Sequence, residues 1–102
     1  MYRASDRVAN ETWIDRIREA CDRLDLGEDV RTTAGDLFLS NVPESDRSKR
    51  TIAAASLYAA ALIRGDERSQ SAVADAMDVT RLSVHNHWKS VLEEAGFRPP
   101  TW

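Results

Sequence analysis

The chain has 102 residues, of which 42% are hydrophobic and 30% charged, and this composition fits one ordinary globular domain with a single core. Its formal charge of −3 excludes the strongly basic class of simple nucleic-acid-binding proteins. A single cysteine cannot form an internal disulfide, and one cysteine with two histidines is too few ligands for a zinc module. We expect no cofactor, and since no apolar run reaches the ~18 residues of a membrane span, we expect a cytoplasmic protein.

Charge is unevenly distributed along the chain. Residues 1–46 carry 11 acidic and six basic side chains, whereas residues 47–102 carry six acidic and eight basic ones. A polyanionic partner should therefore contact the second half.

Hydrophobic periodicity predicts five helices and no strand. The first covers about residues 6–24, and its apolar stripe includes Cys21, which we interpret as a small core residue. The second covers about residues 28–41 and contains Gly35. Because glycine destabilises the interior of a helix relative to alanine, its presence predicts a close helix–helix contact at that point. Three other glycines are expected to end helices in the left-handed conformation: Gly27, Gly65 and Gly96.

The third helix, about residues 48–64, contains IAAASLYAAALI and is apolar or small on nearly every face. Such a helix is buried on all sides, and its alanines let neighbours approach closely. We therefore predict an all-α fold, a compact orthogonal five-helix bundle around a central third helix. The prediction is a single domain over residues 1–102, with its core at about 6–95 and a flexible tail at 97–102.

The segment SQSAVADAMDVTRLSVHNHWKSVLEEAG has the pattern of a C-terminal helix-turn-helix, with helices at about 69–77 and 81–95. Val84 and Trp88 would anchor the second of these helices in the core. Asp78 stands in the turn, where its short side chain tolerates the left-handed conformation, and Thr80 is a good N-cap.

The side of the last helix opposite Trp88 carries residues suited to a DNA groove. Arginine and lysine contact phosphate, asparagine pairs with adenine, and leucine touches a thymine methyl group. The alternative is a solvated face on a hairpin that only closes the core. The candidate DNA-binding residues here are Arg81, Leu82, His85, Asn86, His87 and Lys89.

A second basic element lies at the start of the third helix, where DRSKRTIAAA contains Arg47, Lys49 and Arg50. Free N–H groups and the helix dipole attract phosphate to such an end, and the same dipole disfavours cations there. Because cations are unfavourable at this end, the presence of three of them indicates a function, which we predict to be phosphate contact. The alternative is a charged loop that solubilises the entry to an apolar helix.

These segments resemble the second cyclin-like repeat of archaeal transcription factor B, the relative of eukaryotic transcription factor IIB. That family has an IAAAxxY helix followed by TQxxIAxxxxVTxxTIRNRYK, and the resemblance covers about residues 10–95. It implies a cyclin-like five-helix fold and promoter binding beside the TATA-binding protein, with the last helix in the major groove. It also implies that Leu82 and His85 stand where the family reads bases, while Asn86 and Lys89 match the family's own residues.

Two substitutions and a missing segment separate this chain from the family pattern. His85 and His87 both replace arginine, which removes two permanent charges and a bidentate guanine contact worth roughly 1–3 kcal/mol. Because histidine donates more strongly when protonated, we expect weaker, altered and pH-sensitive DNA recognition. One cysteine excludes the family's zinc ribbon, so we expect a single-repeat protein that does not recruit polymerase in the usual way, or else an excised domain.

The leading interpretation is a DNA-binding module that acts as an accessory or competing regulator of transcription. The runner-up is a cyclin-like protein-interaction module without DNA binding, and a third possibility is a dimeric helix-turn-helix repressor. We do not expect an enzyme, because the carboxylates are scattered and no nucleophile has an evident base. His85 and His87 lie about 200° apart around the helix and cannot share a metal.

Overall fold

The computed structural model describes residues 10–43 and 45–96, without the side chains of Asp46 and Arg47. This part of the chain contains no strand and five helices, which are α1 (Glu11–Arg23), α2 (Glu28–Ser40), α3 (Asp46–Ile63), α4 (Gln70–Met77) and α5 (Arg81–Glu94). The predicted all-α five-helix fold is confirmed. The predicted helix start near residue 6 and the predicted tail at 97–102 lie outside the described residues. Among the helices described, none combines the length and apolarity needed to cross a bilayer.

Helix α3 is the centre of the bundle, as predicted. It packs against each of the other four helices, and every residue from 53 to 61 is buried. Six of these nine positions are alanine, so neighbouring helices can approach its backbone closely. The helix begins slightly earlier than predicted, because Ser45 caps it by accepting a 3.2 Å hydrogen bond from the backbone N–H of Ser48.

One polar side chain interrupts this apolar run. Ser56 is fully buried on α3, and its Oγ has no hydrogen-bond partner among the described residues. A buried hydroxyl without a partner loses its hydration and gains nothing in return. The Ser56 hydroxyl therefore lowers the stability of the folded core.

The predicted glycine helix ends are confirmed at two positions and wrong at the third. Gly65 and Gly96 have φ angles of 71° and 90° and follow α3 and α5. Gly27 instead has an extended backbone and is the N-cap of α2. The left-handed residue after α1 is Asp25, with φ 56°, because the chain turns two residues before the glycine.

Helices α1 and α2 are in contact at Gly35, but they do not approach closely enough to require a glycine, so the predicted close contact is wrong. A Cβ built on this buried glycine would lie 3.6 Å from Cδ1 of Ile14, which is ordinary van der Waals distance. On the same side of α1, Cys21 is fully buried and belongs to the core, as predicted. Burial raises the pKa of its thiol above the ordinary value of 9.0, and the nearby Arg31 guanidinium partly opposes this effect.

Candidate nucleic-acid interface

Helices α4 and α5 form the predicted helix-turn-helix, and each local signal acts as expected. Ser69 caps α4, and Asp78 ends it in the left-handed conformation, with φ 58° and ψ 48°. The backbone N–H of Val79 donates to the carbonyl of Ala74 at 3.0 Å, which closes the turn. Thr80 Oγ1 then accepts a 3.1 Å hydrogen bond from the N–H of Ser83 and caps α5.

The core side of α5 is fixed to the central helix. Trp88 is only 5% exposed, and its ring meets Tyr58 of α3 edge-on, with centroids 5.4 Å apart and planes at 73°. Val84 and Val91 are buried on either side of it along the helix. The orientation of α5 is therefore set by packing, as the sequence predicted.

All six candidate residues on α5 are exposed. Arg81, seven residues before Trp88 and on nearly the same line, is exposed as the first residue of the helix. Leu82 is 59% exposed, and it is the one large hydrophobic side chain exposed in the described part of the chain. Lys89 Nζ lies 5.5 Å from the centroid of the Trp88 ring. At about 100° per residue, the exposed side has three parallel lines. From one edge to the other they are Arg81–His85–Lys89, Leu82–Asn86 and Ser83–His87.

The two histidines make different hydrogen bonds. Nδ1 of His85 lies 3.2 Å from the amide nitrogen of Gln70, at the start of α4. Nδ1 of His87 lies 2.7 Å from the backbone carbonyl oxygen of Ser83, one turn earlier in its own helix. The His85 contact joins the two helices of the motif across 15 residues, which helical periodicity does not predict.

The start of α3 meets the helix-turn-helix at its turn. Arg50 Nη1 forms a 3.0 Å ion pair with Oδ2 of Asp78, whose side chain is 90% exposed. Lys49 is half-buried, and the side chain of Arg47 lies outside the described residues. The predicted basic element is thus placed beside the predicted DNA-reading helix, but Arg50 is shared with a carboxylate that the sequence analysis did not pair with it.

A groove of about 680 Å³ lies between α1, the start of α3 and the start of α5. Trp13 lines this groove and lies close to two guanidinium groups, with the Cζ of Arg16 5.4 Å and that of Arg50 6.0 Å from its ring centroid. Thr80 and Ser83 of the helix-turn-helix also line the groove. Neither Trp13 nor Arg16 was predicted from the sequence as a site residue; their three-residue spacing along α1 was the available signal.

Charge within the motif is not uniformly favourable to DNA. Residues 69–94 contain two basic side chains, Arg81 and Lys89, and four carboxylates. Two of the carboxylates, Glu93 and Glu94, occupy the end of α5. The cations are therefore confined to the first part of α5, and only this part is suited to a polyanion. Within the described residues, no cluster of three or more potential ligands could hold a metal ion.

Comparison with known proteins agrees with this architecture. The family described as "Transcription factor TFIIB repeat" matches residues 9–94. Transcription initiation factor IIB of Pyrococcus abyssi is 33% identical over 89 residues, which cover 84% of this chain and 30% of that protein. Transcription initiation factor IIB 1 of Thermoplasma volcanium is 35% identical over 83 residues, or 78% of this chain and 27% of the relative.

A third relative has a similar degree of identity. Transcription initiation factor IIB 7 of Halobacterium salinarum is 32% identical over 79 residues, which cover 74% of this chain and 24% of that protein. The chain thus spans less than a third of the length of these relatives. The family match covers nearly all of the described residues, and four of the five helices pack around the buried third. The chain therefore belongs to the TFIIB repeat family and has its cyclin-like all-α fold.

Proposed function

We propose that this chain is a non-enzymatic, intracellular DNA-binding module that contacts promoter DNA through the first part of α5. One observation carries the proposal: Trp88 is locked into the core while all six candidate residues on the same helix are exposed. A helix anchored in this way presents a fixed set of side chains to the major groove, which is wide enough to admit it.

Two of the three lines of side chains suit different parts of a duplex. Arg81 and Lys89 lie on one edge and are long enough to pair with phosphates along a groove wall. Leu82 and Asn86 lie on the central line, where a thymine methyl group and an adenine edge are their natural partners. His85 completes the basic edge with a side chain that makes one hydrogen bond rather than two.

The role in transcription follows from family membership. The matched relatives are named transcription initiation factors, and the TATA-binding protein is the partner that the resemblance implies. We propose that this module acts at promoters as an accessory or competing regulator. Since the motif itself holds more carboxylates than cations, its affinity for DNA would be modest without a second protein on the promoter.

A salt titration of binding to duplex DNA, followed by fluorescence anisotropy, tests the proposal. Each phosphate contact adds about 0.9 to the slope of log K against log salt. Arg81→Ala and Lys89→Ala should each weaken binding and lower that slope by about one. The matched control is Arg18→Ala, which removes an exposed arginine from α1 and should change neither quantity. Binding that is independent of salt and of both α5 variants would contradict the proposal.

The second candidate is a protein-interaction module that does not bind DNA. The Arg50–Asp78 ion pair and the carboxylates of the motif favour it, because both reduce the positive potential near α5. In this case the same titration would show no salt-dependent binding to any duplex. The pH sensitivity expected from the histidines stays a prediction under the first candidate.

A further inference from the structure

The two histidines of α5 differ in the hydrogen-bonding role that their free ring nitrogen can take toward a ligand. Both are exposed, and in both the Nδ1 atom is occupied by a partner within the protein. The ring nitrogen left to meet a ligand is therefore Nε2 in each case. Whether Nε2 donates or accepts depends on what Nδ1 does.

At His85 the side-chain atom that lies next to Nδ1 is a donor. The atom that faces the ring at 3.2 Å is the amide nitrogen of Gln70, which carries two hydrogens and has no acceptor capacity. A neutral His85 must then accept at Nδ1, which places its own hydrogen on Nε2. The side chain so held presents one N–H donor to solvent.

At His87 the partner can only accept. The carbonyl oxygen of Ser83 lies 2.7 Å from Nδ1, so the ring hydrogen of the neutral side chain is on Nδ1. Its Nε2 is left as a hydrogen-bond acceptor. The same residue type, two positions apart, thus presents opposite hydrogen-bond polarity.

We infer that Gln70 is a positioning residue that holds His85 as a single N–H donor, so that α5 reads one major-groove acceptor at this point, a purine N7. This inference rests on the proposed function for its ligand. A purine N7 is present in both guanine and adenine, whereas the fork of an arginine fits guanine N7 and O6 together. A single donor also fits guanine O6 or thymine O4, but the proposed contact to N7 selects a purine without selecting guanine.

The positioning role is tested on the free protein by long-range proton–nitrogen correlation NMR at about pH 8.5, where ordinary imidazoles are neutral. Wild-type His85 should carry its hydrogen on Nε2 and His87 on Nδ1. Gln70→Glu keeps the size of the side chain but replaces the donor by an acceptor, so it should move the His85 hydrogen to Nδ1. His87 serves as the internal control and should not change. A wild-type His85 protonated on Nδ1, or a ring unaffected by Gln70→Glu, would overturn the inference.

The ligand is tested with duplexes in which one purine at a time is replaced by its analogue with C–H in place of N7. At one position the analogue should weaken binding of the wild type by about two- to tenfold, as expected for one lost hydrogen bond. The His85→Ala variant should bind both duplexes equally. Equal binding of all analogues by the wild type would refute the purine contact, whereas absence of binding to every duplex would refute the proposed function and leave the NMR result to decide the positioning role.

Discussion

Replacing Ser56 by alanine should stabilise the protein. Ser56 lies in the middle of α3, is fully buried, and has no partner for its hydroxyl among the described residues. Removing the oxygen relieves the cost of burying a polar group, which is about 1–3 kcal/mol when the group is left unsatisfied. Alanine also has the higher helix propensity, by a few tenths of a kcal/mol. The lost packing of one oxygen atom offsets part of this gain, so we expect a net increase of about 1–3 kcal/mol.

Urea unfolding followed by circular dichroism measures the effect. The midpoint should rise with the slope unchanged, and thermal unfolding should shift upward by about 4–8 °C per kcal/mol for a domain of this size. The matched control is Ser90→Ala, since Ser90 is exposed within α5 and reports the propensity effect alone. A Ser56→Ala variant no more stable than the Ser90→Ala variant would refute the reasoning, because the hydroxyl would then have a partner in solution.

Three further predictions concern α2, α5 and α1. Gly35→Ala should stabilise the protein by about 0.5–1 kcal/mol, because a Cβ fits at 3.6 Å from Ile14. Gly65→Ala should destabilise it, because alanine is strained at the positive φ of this residue. The urea midpoint should rise for the first variant and fall for the second. His85→Arg should tighten DNA binding by roughly 1–3 kcal/mol and steepen its salt dependence, and unchanged binding in an anisotropy titration would contradict the interpretation of the histidine substitutions. Because the pKa of Cys21 is raised, the folded state binds the thiol proton more tightly than the unfolded state does. The free energy of unfolding therefore includes a contribution from this proton that is complete below the ordinary pKa of 9.0 and declines as the pH rises above it. Cys21→Ala should therefore lose less stability than the wild type between neutral and strongly alkaline pH, and a parallel loss would argue against burial as the cause.

The sequence predicted those parts of the fold that depend on local chemistry. The alanine-rich α3, the cap at Thr80 and the left-handed Asp78 each follow from propensity, capping or backbone sterics within a few residues. The exposed and buried sides of α5 follow from its periodicity in the same way. These signals were sufficient to locate the candidate site.

Contacts between distant segments were not predictable from such signals. The Arg50–Asp78 ion pair joins residues 28 apart, and the Gln70–His85 contact joins two helices. Neither has a periodic signature, because both depend on how the finished helices cross. Gly27 was misassigned for a related reason: the turn after α1 uses Asp25, and a glycine that follows a helix closely looks the same in sequence whether it ends one helix or begins the next.

The central claim is that the exposed side of α5 is the surface that meets DNA, and an NMR titration with a promoter duplex tests it most directly. We expect the largest backbone amide shifts at the start and middle of α5, at Arg81, Leu82 and Asn86, with small shifts at Arg18 on α1. The shifts should diminish as salt is raised. Shifts concentrated on α1 and α2, with α5 unchanged under conditions of binding, would contradict the claim.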